Sequence, residues 1–444
     1  MSAEPAKPKR TKRILVLASC AALGIVACSE SSGSTSSAGH VRTPNHLAGL
    51  EAAGDAVGDA AEGVSAGASS GLPGRAGLGE RPGERPGERP GERPGERLDG
   101  QLAERLDGQL AERLDGQLGE LPTAGLGRPL ARSGGFQYGV SLGLFVSESD
   151  DRARKRYYRV FLDEIEALGA RDIQFVVRWF QKDPSALSVR PAPDASPGDR
   201  LLGWIVDEAH ARGLRVFLLP VVGLSQSGPG QWRGTLAPTD WDAWWRSYTD
   251  FVMHQATLAE ALGVELLSVG SELLSTEHQT RRWRALIARV RSVFAGRLTY
   301  SANWDHFEAV AFWDALDLIG VTGYQALSRA DDPSEAELVR GFQPLRDRLE
   351  ALAARVEKPF ILTEVGYPSR VGAAARPWDH VARGQADPQL QLRCYRALFR
   401  AWQAHPWLAG LYVWNWFGSG GPSDNDYTPR GKPAAEVLRH WYGS

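Results

Sequence analysis

Residues 241–273 read WDAWWRSYTDFVMHQATLAEALGVELLSVGSEL. Two periodicities meet here. From 241 to 262 apolar residues recur at helical spacing, and 265–269 is a short apolar run of strand length. Glu272 follows directly, where a charge has no packing reason to be. The pattern repeats outward in both directions. Strands are expected at 138–144, 172–177, 214–219, 265–269, 298–301, 316–321, 360–363 and 410–414. Helices are expected at 155–168, 201–212, 241–262, 282–294, 335–356, 388–404 and 434–442. The link after the fifth strand is weakest, with only 307–313 as its helix. Strands alternating with helices make an α/β chain whose parallel sheet is buried on both faces. Eight such units between 138 and 442 imply closure into a (β/α)8 TIM barrel. Gly169 and Gly213 stand where a left-handed helix cap wants glycine, and Pro433 opens the last helix. A doubly wound open sheet would announce itself with a glycine-rich first turn, but the first strand here ends Gly143-Leu144-Phe145.

In a barrel of this kind, reacting groups stand where strands end and βα loops begin. Strand four runs into Gly270-Ser271-Glu272-Leu273, and strand seven into Thr363-Glu364-Val365-Gly366-Tyr367. Strands four and seven face each other across the mouth. Two carboxylates there can perform glycoside hydrolysis, one protonating the leaving oxygen and the other attacking the anomeric carbon. In the retaining version they stand about 5–5.5 Å apart. The structural alternative is that each Glu caps the following helix or pairs with an arginine.

These two motifs resemble the large clan of retaining (β/α)8 glycosidases, and within it most closely glycoside hydrolase family 113, the bacterial endo-β-mannanases. Tyr300-Ser301-Ala302-Asn303-Trp304, Asp317-Leu318-Ile319-Gly320 leading to Tyr324, and Tyr412-Val413-Trp414-Asn415-Trp416 extend the likeness over 138–442. The resemblance implies Glu272 as acid/base and Glu364 as nucleophile. Much of the wider clan has Asn before the acid/base. Ser271 stands there in this chain, as small hydroxyl residues tend to in the mannanase family.

Four residues are expected to surround the pair. Arg178, read as ending strand two, would hold Glu364 ionised, or form a structural ion pair. Tyr324 would donate to the same carboxylate, or cap or pack the core. Asn303 would bond a sugar hydroxyl, or serve as a turn residue. Trp414 is the first candidate for a sugar platform, with Trp304 and Trp416 behind it, because flat aromatic faces pack on pyranose rings. Core packing is the other reading for each of the 15 tryptophans.

The amino terminus reads as an address. Basic residues from Lys7 to Arg13 precede an apolar stretch at 14–22, too short to span a bilayer comfortably. Ile25-Val26-Ala27-Cys28 resembles the bacterial lipoprotein lipobox, which implies a signal peptide over 1–27 and a lipidated Cys28. Acyl chains on that cysteine would tether the protein to the outer membrane or cell surface. The stretch 28–133 is expected to be a disordered tether. Gly-Glu-Arg-Pro occurs four times from Gly79 to Pro94, and an octapeptide starts at Glu96, Glu104 and Glu112. Proline or glycine every few residues blocks helix and sheet alike, and a random coil of about 100 residues spans roughly 55 Å. The folded domain is then 134–444.

Charge and metal-ligand spacing narrow the function. Lys+Arg total 51 against 53 Asp+Glu, so no basic excess points to nucleic acid. Three cysteines, of which Cys394 would sit alone in the domain, give no disulfide framework. His254, His306 and His380 lack metal spacing, which counts against a metal-dependent barrel hydrolase. Ser423-Asp424-Asn425-Asp426 lacks the ligand spacing of a calcium loop and reads as an exposed loop. No metal or cofactor is expected, the partner is a polysaccharide or oligosaccharide substrate, and the chain is expected to act as a monomer. The leading reading is an endo-β-1,4-mannanase-like enzyme. The alternatives are a glycosidase of the same mechanism on another β-glycan, and a surface barrel that binds glycan without cutting it.

Overall fold

A computed structural model of the chain describes residues 135–144, 151–193 and 195–443. The expected signal peptide 1–27, the lipidated Cys28 and the tether 28–133 lie outside the described residues. Eight strands, β1 (Gln137–Gly143), β2 (Asp172–Gln181), β3 (Arg215–Leu224), β4 (Leu266–Ser271), β5 (Arg297–Ala302), β6 (Ile319–Thr322), β7 (Phe360–Val365) and β8 (Leu408–Val413), pair in chain order and close β8 onto β1. Every pairing is parallel. Among the described residues the helices are α1 (Asp151–Ala167), α2 (Asp199–Ala211), α3 (Trp241–Ala261), α4 (Thr280–Arg291), α5 (Glu335–Gly341), α6 (Gln343–Val356), α7 (Pro388–Trp402) and α8 (Ala434–Tyr442), with a one-turn helix at Leu274–Glu277. None is long and apolar enough to cross a membrane.

Strand alternation separates two apolar layers. On β3, Val216 and Leu218 join the large cluster between sheet and helices, while Phe217, Leu219 and Val221 fill the barrel interior. On β8, Leu411 and Val413 pack outward, and Tyr412 packs inward with Trp414, the residue just past the strand. Most tryptophans go to packing, and Trp244, Trp283, Trp313 and Trp402 are fully buried. Gly169 and Gly213 take φ of 79° and 71°, which a side chain would strain.

Three expectations change. Arg178 does not end its strand: β2 and β3 stay paired as far as Gln181 and Leu224, so Arg178 lies inside β2. The helix expected at 335–356 is two helices that meet at Phe342. Pro344 stands in the first turn of α6, where it has no N–H to continue the preceding helix. The helix expected at 307–313 is two short 3-10 turns, Phe307–Ala309 and Trp313–Ala315.

Candidate active site

Both acidic motifs stand where strand pairing slips. The β4–β5 register shifts between Ser268 and Ser271, and the β7–β8 register between Leu362 and Val365. Such an irregularity re-aims neighbouring side chains, and each strand carries its glutamate at or just past the slip. A polar layer beneath ties the strands together. Ser141 Oγ donates to Gln174 Oε1 at 2.7 Å, and Gln174 Nε2 donates to the Thr363 carbonyl at 2.9 Å. Ser301 Oγ and Thr363 Oγ1 share a 2.7 Å hydrogen bond. Thr363, the residue just before Glu364, is thereby fixed from within.

Glu272 and Glu364 are each 1 % exposed and close enough for the charge of Glu272 to bear on Glu364. Burial pushes both carboxyls up. Glu364 reaches about 8, with the charge of Glu272 adding to burial, and Arg233 and Tyr324 opposing. Tyr324 Oη donates to Glu364 Oε2 at 3.1 Å. At Glu272 the main opposition is Arg233, whose guanidinium forms a buried ion pair with Oε2. Each carboxyl is therefore harder to ionise than an exposed one.

Arg233 had no signal in the sequence. It sits in a 3-10 turn, Arg233–Thr235, in the loop after β3, with no motif around it. It takes the place foreseen for Arg178, because the cation that bears on Glu364 is Arg233. Arg178 is buried nearby, and its guanidinium is pushed down to about 10 by burial and by the charge of Arg233. Asn303 lies beside Glu272: its Nδ2 donates to Asp305 at 2.7 Å and its Oδ1 accepts from Thr322 at 3.4 Å, and both partners bear on Glu272.

The aromatic candidates part company. Trp414 is 3 % exposed and packs with Tyr324 and Tyr427 inside the mouth. Gly366 has no room for a Cβ, which would stand 2.2 Å from the Trp414 carbonyl, so the β7 motif needs glycine there. Trp304 is half-buried and stacks on Trp378 with ring centroids 5.6 Å apart. Trp378 comes from the long β7–α7 loop and was not foreseen. Trp416 is no platform: it joins the outer core and its Nε1 donates to Glu164 of α1 at 2.8 Å.

The set-aside residues have structural places. Lys432 Nζ sits 2.9 Å from Asp424 Oδ1, within the loop considered for calcium. Cys394 is a buried free thiol on α7. Among the described residues, no three His, Cys, Asp or Glu side chains are placed to share a metal ion.

No curated protein matches the chain. The sequence profile of Glycoside Hydrolase Family 113 matches residues 150–432. The structure of a GH113 β-1,4-mannanase solved as a complex superposes with a TM-score of 0.63 at 27 % identity, over 70 % of this chain and 99 % of that one. The GH113 β-mannanase AaManA from Alicyclobacillus acidocaldarius, in complex with ManMIm, superposes with a TM-score of 0.61 at 30 % identity, over 70 % and 98 % of the two chains. With a parallel eight-stranded barrel, buried glutamates at the ends of β4 and β7, and a family profile over most of the barrel, this is a glycoside hydrolase and it belongs to glycoside hydrolase family 113.

Proposed function

We propose that the barrel cleaves β-1,4-linked mannan within the chain, with retention of anomeric configuration. The observation that carries this reading is the pair of buried, electrostatically coupled glutamates on β4 and β7 of a family 113 barrel. In the first step the Glu364 carboxylate attacks the anomeric carbon as the glycosidic C–O bond breaks. The Glu272 carboxylic acid gives its proton to the departing oxygen. In the second, the Glu272 carboxylate takes a proton from water, the water oxygen bonds to the anomeric carbon, and Glu364 leaves as a carboxylate. Tyr324 steadies the charge on Glu364, Arg233 supplies the positive charge at the pair, Asn303 meets a sugar hydroxyl, and Trp414 gives the sugar a flat wall.

Burial raises both carboxyls, and Arg233, ion-paired to Glu272, opposes that rise at each of them. For Glu272 to protonate the leaving oxygen, productive binding replaces Arg233 at Glu272 with that oxygen. The test is the product profile on purified mannans, glucans and xylans, with the anomer of the first product read by NMR. Short β-mannooligosaccharides released first as the β-anomer are expected. Release of the α-anomer, or activity confined to glucan or xylan, overturns the reading.

We also propose that the enzyme is exported and works, as a monomer, on a tether fixed by lipid at Cys28. The lipobox-like run and the repeats support this. Labelling cells with a clickable palmitate should mark the wild type and not Cys28→Ser, and equal labelling of both defeats the idea.

A further inference from the structure

Glu272 has a φ of 52°, in the left-handed region that a residue with a Cβ seldom adopts. Something must hold it there. Both amides that flank its side chain are gripped by β5. The Glu272 N–H donates to the Ser301 carbonyl at 2.8 Å. The next amide, Leu273 N–H, donates to the hydroxyl of Tyr300 at 2.9 Å. Tyr300 is fully buried against Trp283 and Phe312, and its own O–H donates to Glu277 Oε1 at 2.8 Å. Glu277 closes the one-turn helix that follows Glu272, and it is 2 % exposed. Its Oε2 has no hydrogen-bond partner among the described residues.

A carboxyl is costly to bury, and no step of hydrolysis uses this one. Its visible work is to orient a hydroxyl. A tyrosine O–H rotates freely until an acceptor fixes it. With Glu277 taking the proton, the lone pairs of Tyr300 face the Leu273 amide. That amide hydrogen bond fixes ψ of Glu272, as the Ser301 carbonyl fixes φ. We propose that Glu277 and Tyr300 are positioning residues that set the general acid/base, by locking the backbone of Glu272 in its left-handed turn. The inference rests on Glu272 being the acid/base.

The test compares two substrates on the full-length chain. A mannooligosaccharide needs its leaving oxygen protonated, whereas a dinitrophenyl β-mannoside does not. For Tyr300→Phe, kcat/KM on the oligosaccharide is expected to fall by about 10–100-fold, part of the ~10²–10⁴ that a placed acid supplies, mostly through kcat. On the dinitrophenyl substrate the fall is less than about 3-fold. Glu277→Ala should show the same split, and Glu277→Gln, which keeps a carbonyl to accept from Tyr300, should recover most of the loss. If Tyr300→Phe does not fold, the two Glu277 variants carry the comparison. Equal losses on both substrates, or no loss on either, overturn the positioning role. Glu272→Ala on the same pair separates the two levels. If it lacks the split, the acid/base assignment itself fails. If it shows the split and the Tyr300 and Glu277 variants do not, only the positioning inference fails.

Discussion

The carboxyl ends of β4 and β7 deliver the same functional group by different physics. Glu364 is still inside a strand, flanked by Thr363 and Val365, and its side chain meets a tyrosine hydroxyl. Glu272 lies just past its strand, in a left-handed backbone conformation, with a guanidinium on its carboxylate and a tyrosine on the following amide. The β7 end is a stiff platform, suited to a group that must attack along one line. The β4 end is a turn held by outside contacts, suited to a group that exchanges partners between two half-reactions. The lesson is general: identical residues are divided into roles by their surroundings.

The comparison breaks most visibly at Glu364, the proposed nucleophile. Glu364→Ala should lower turnover on mannan by roughly 10⁴-fold or more, as removal of other catalytic nucleophiles does. Azide should restore glycosyl transfer and give the azide product of inverted configuration. Unchanged activity removes β7 from the mechanism.

Glu272→Ala comes next, with a loss of about 10²–10⁴-fold on mannan and a much smaller one in kcat/KM on activated aryl mannosides. Equal losses on both would mean that the β4 carboxyl does not act as an acid.

Arg233→Gln sharpens the electrostatic side. Arg233 lowers both carboxyls, so its removal raises both. If Glu364 is the nucleophile it must be ionised to attack, so the acid limb of kcat/KM should move to higher pH. An acid limb that stays put would mean that Arg233 does not set the charge of the pair.

The smallest effect is on stability. Glu277 and Glu364 are both raised from an ordinary 4.5 to about 8. Between these values the folded chain keeps protons that the unfolded chain has lost. The stability is therefore full below about pH 4.5 and falls as pH rises towards 8. Wild-type melting temperature should decline over that window. Glu277→Gln should flatten the decline by a few degrees, at about 2–4 °C per kcal/mol for a domain of this size. An unaltered slope would mean that Glu277 is ionised in the folded protein.

Periodicity and turn chemistry in the sequence were enough to determine the eight alternating units, and α8 begins and ends where the pattern places it. The two glutamates were legible for the same reason: a charge ending an apolar run stands out locally, and the barrel puts both ends on one face. Boundaries were less legible where contacts decide them. β2 and β3 extend to Gln181 and Leu224 because each is the other's partner, and no local pattern encodes a partner. Only the tertiary structure picked Arg233 over Arg178 as the cation on the pair, since a loop arginine carries no periodic signal and its reach depends on how the loop folds over the mouth. It also sent Trp416 to the outer core and brought Trp378 to Trp304. The left-handed turn at Glu272, and the Tyr300–Glu277 contact beside it, belong to the same class. Sequence spacing shows which residues share a strand end, whereas hydrogen bonds between strands and loops exist only once the barrel has closed.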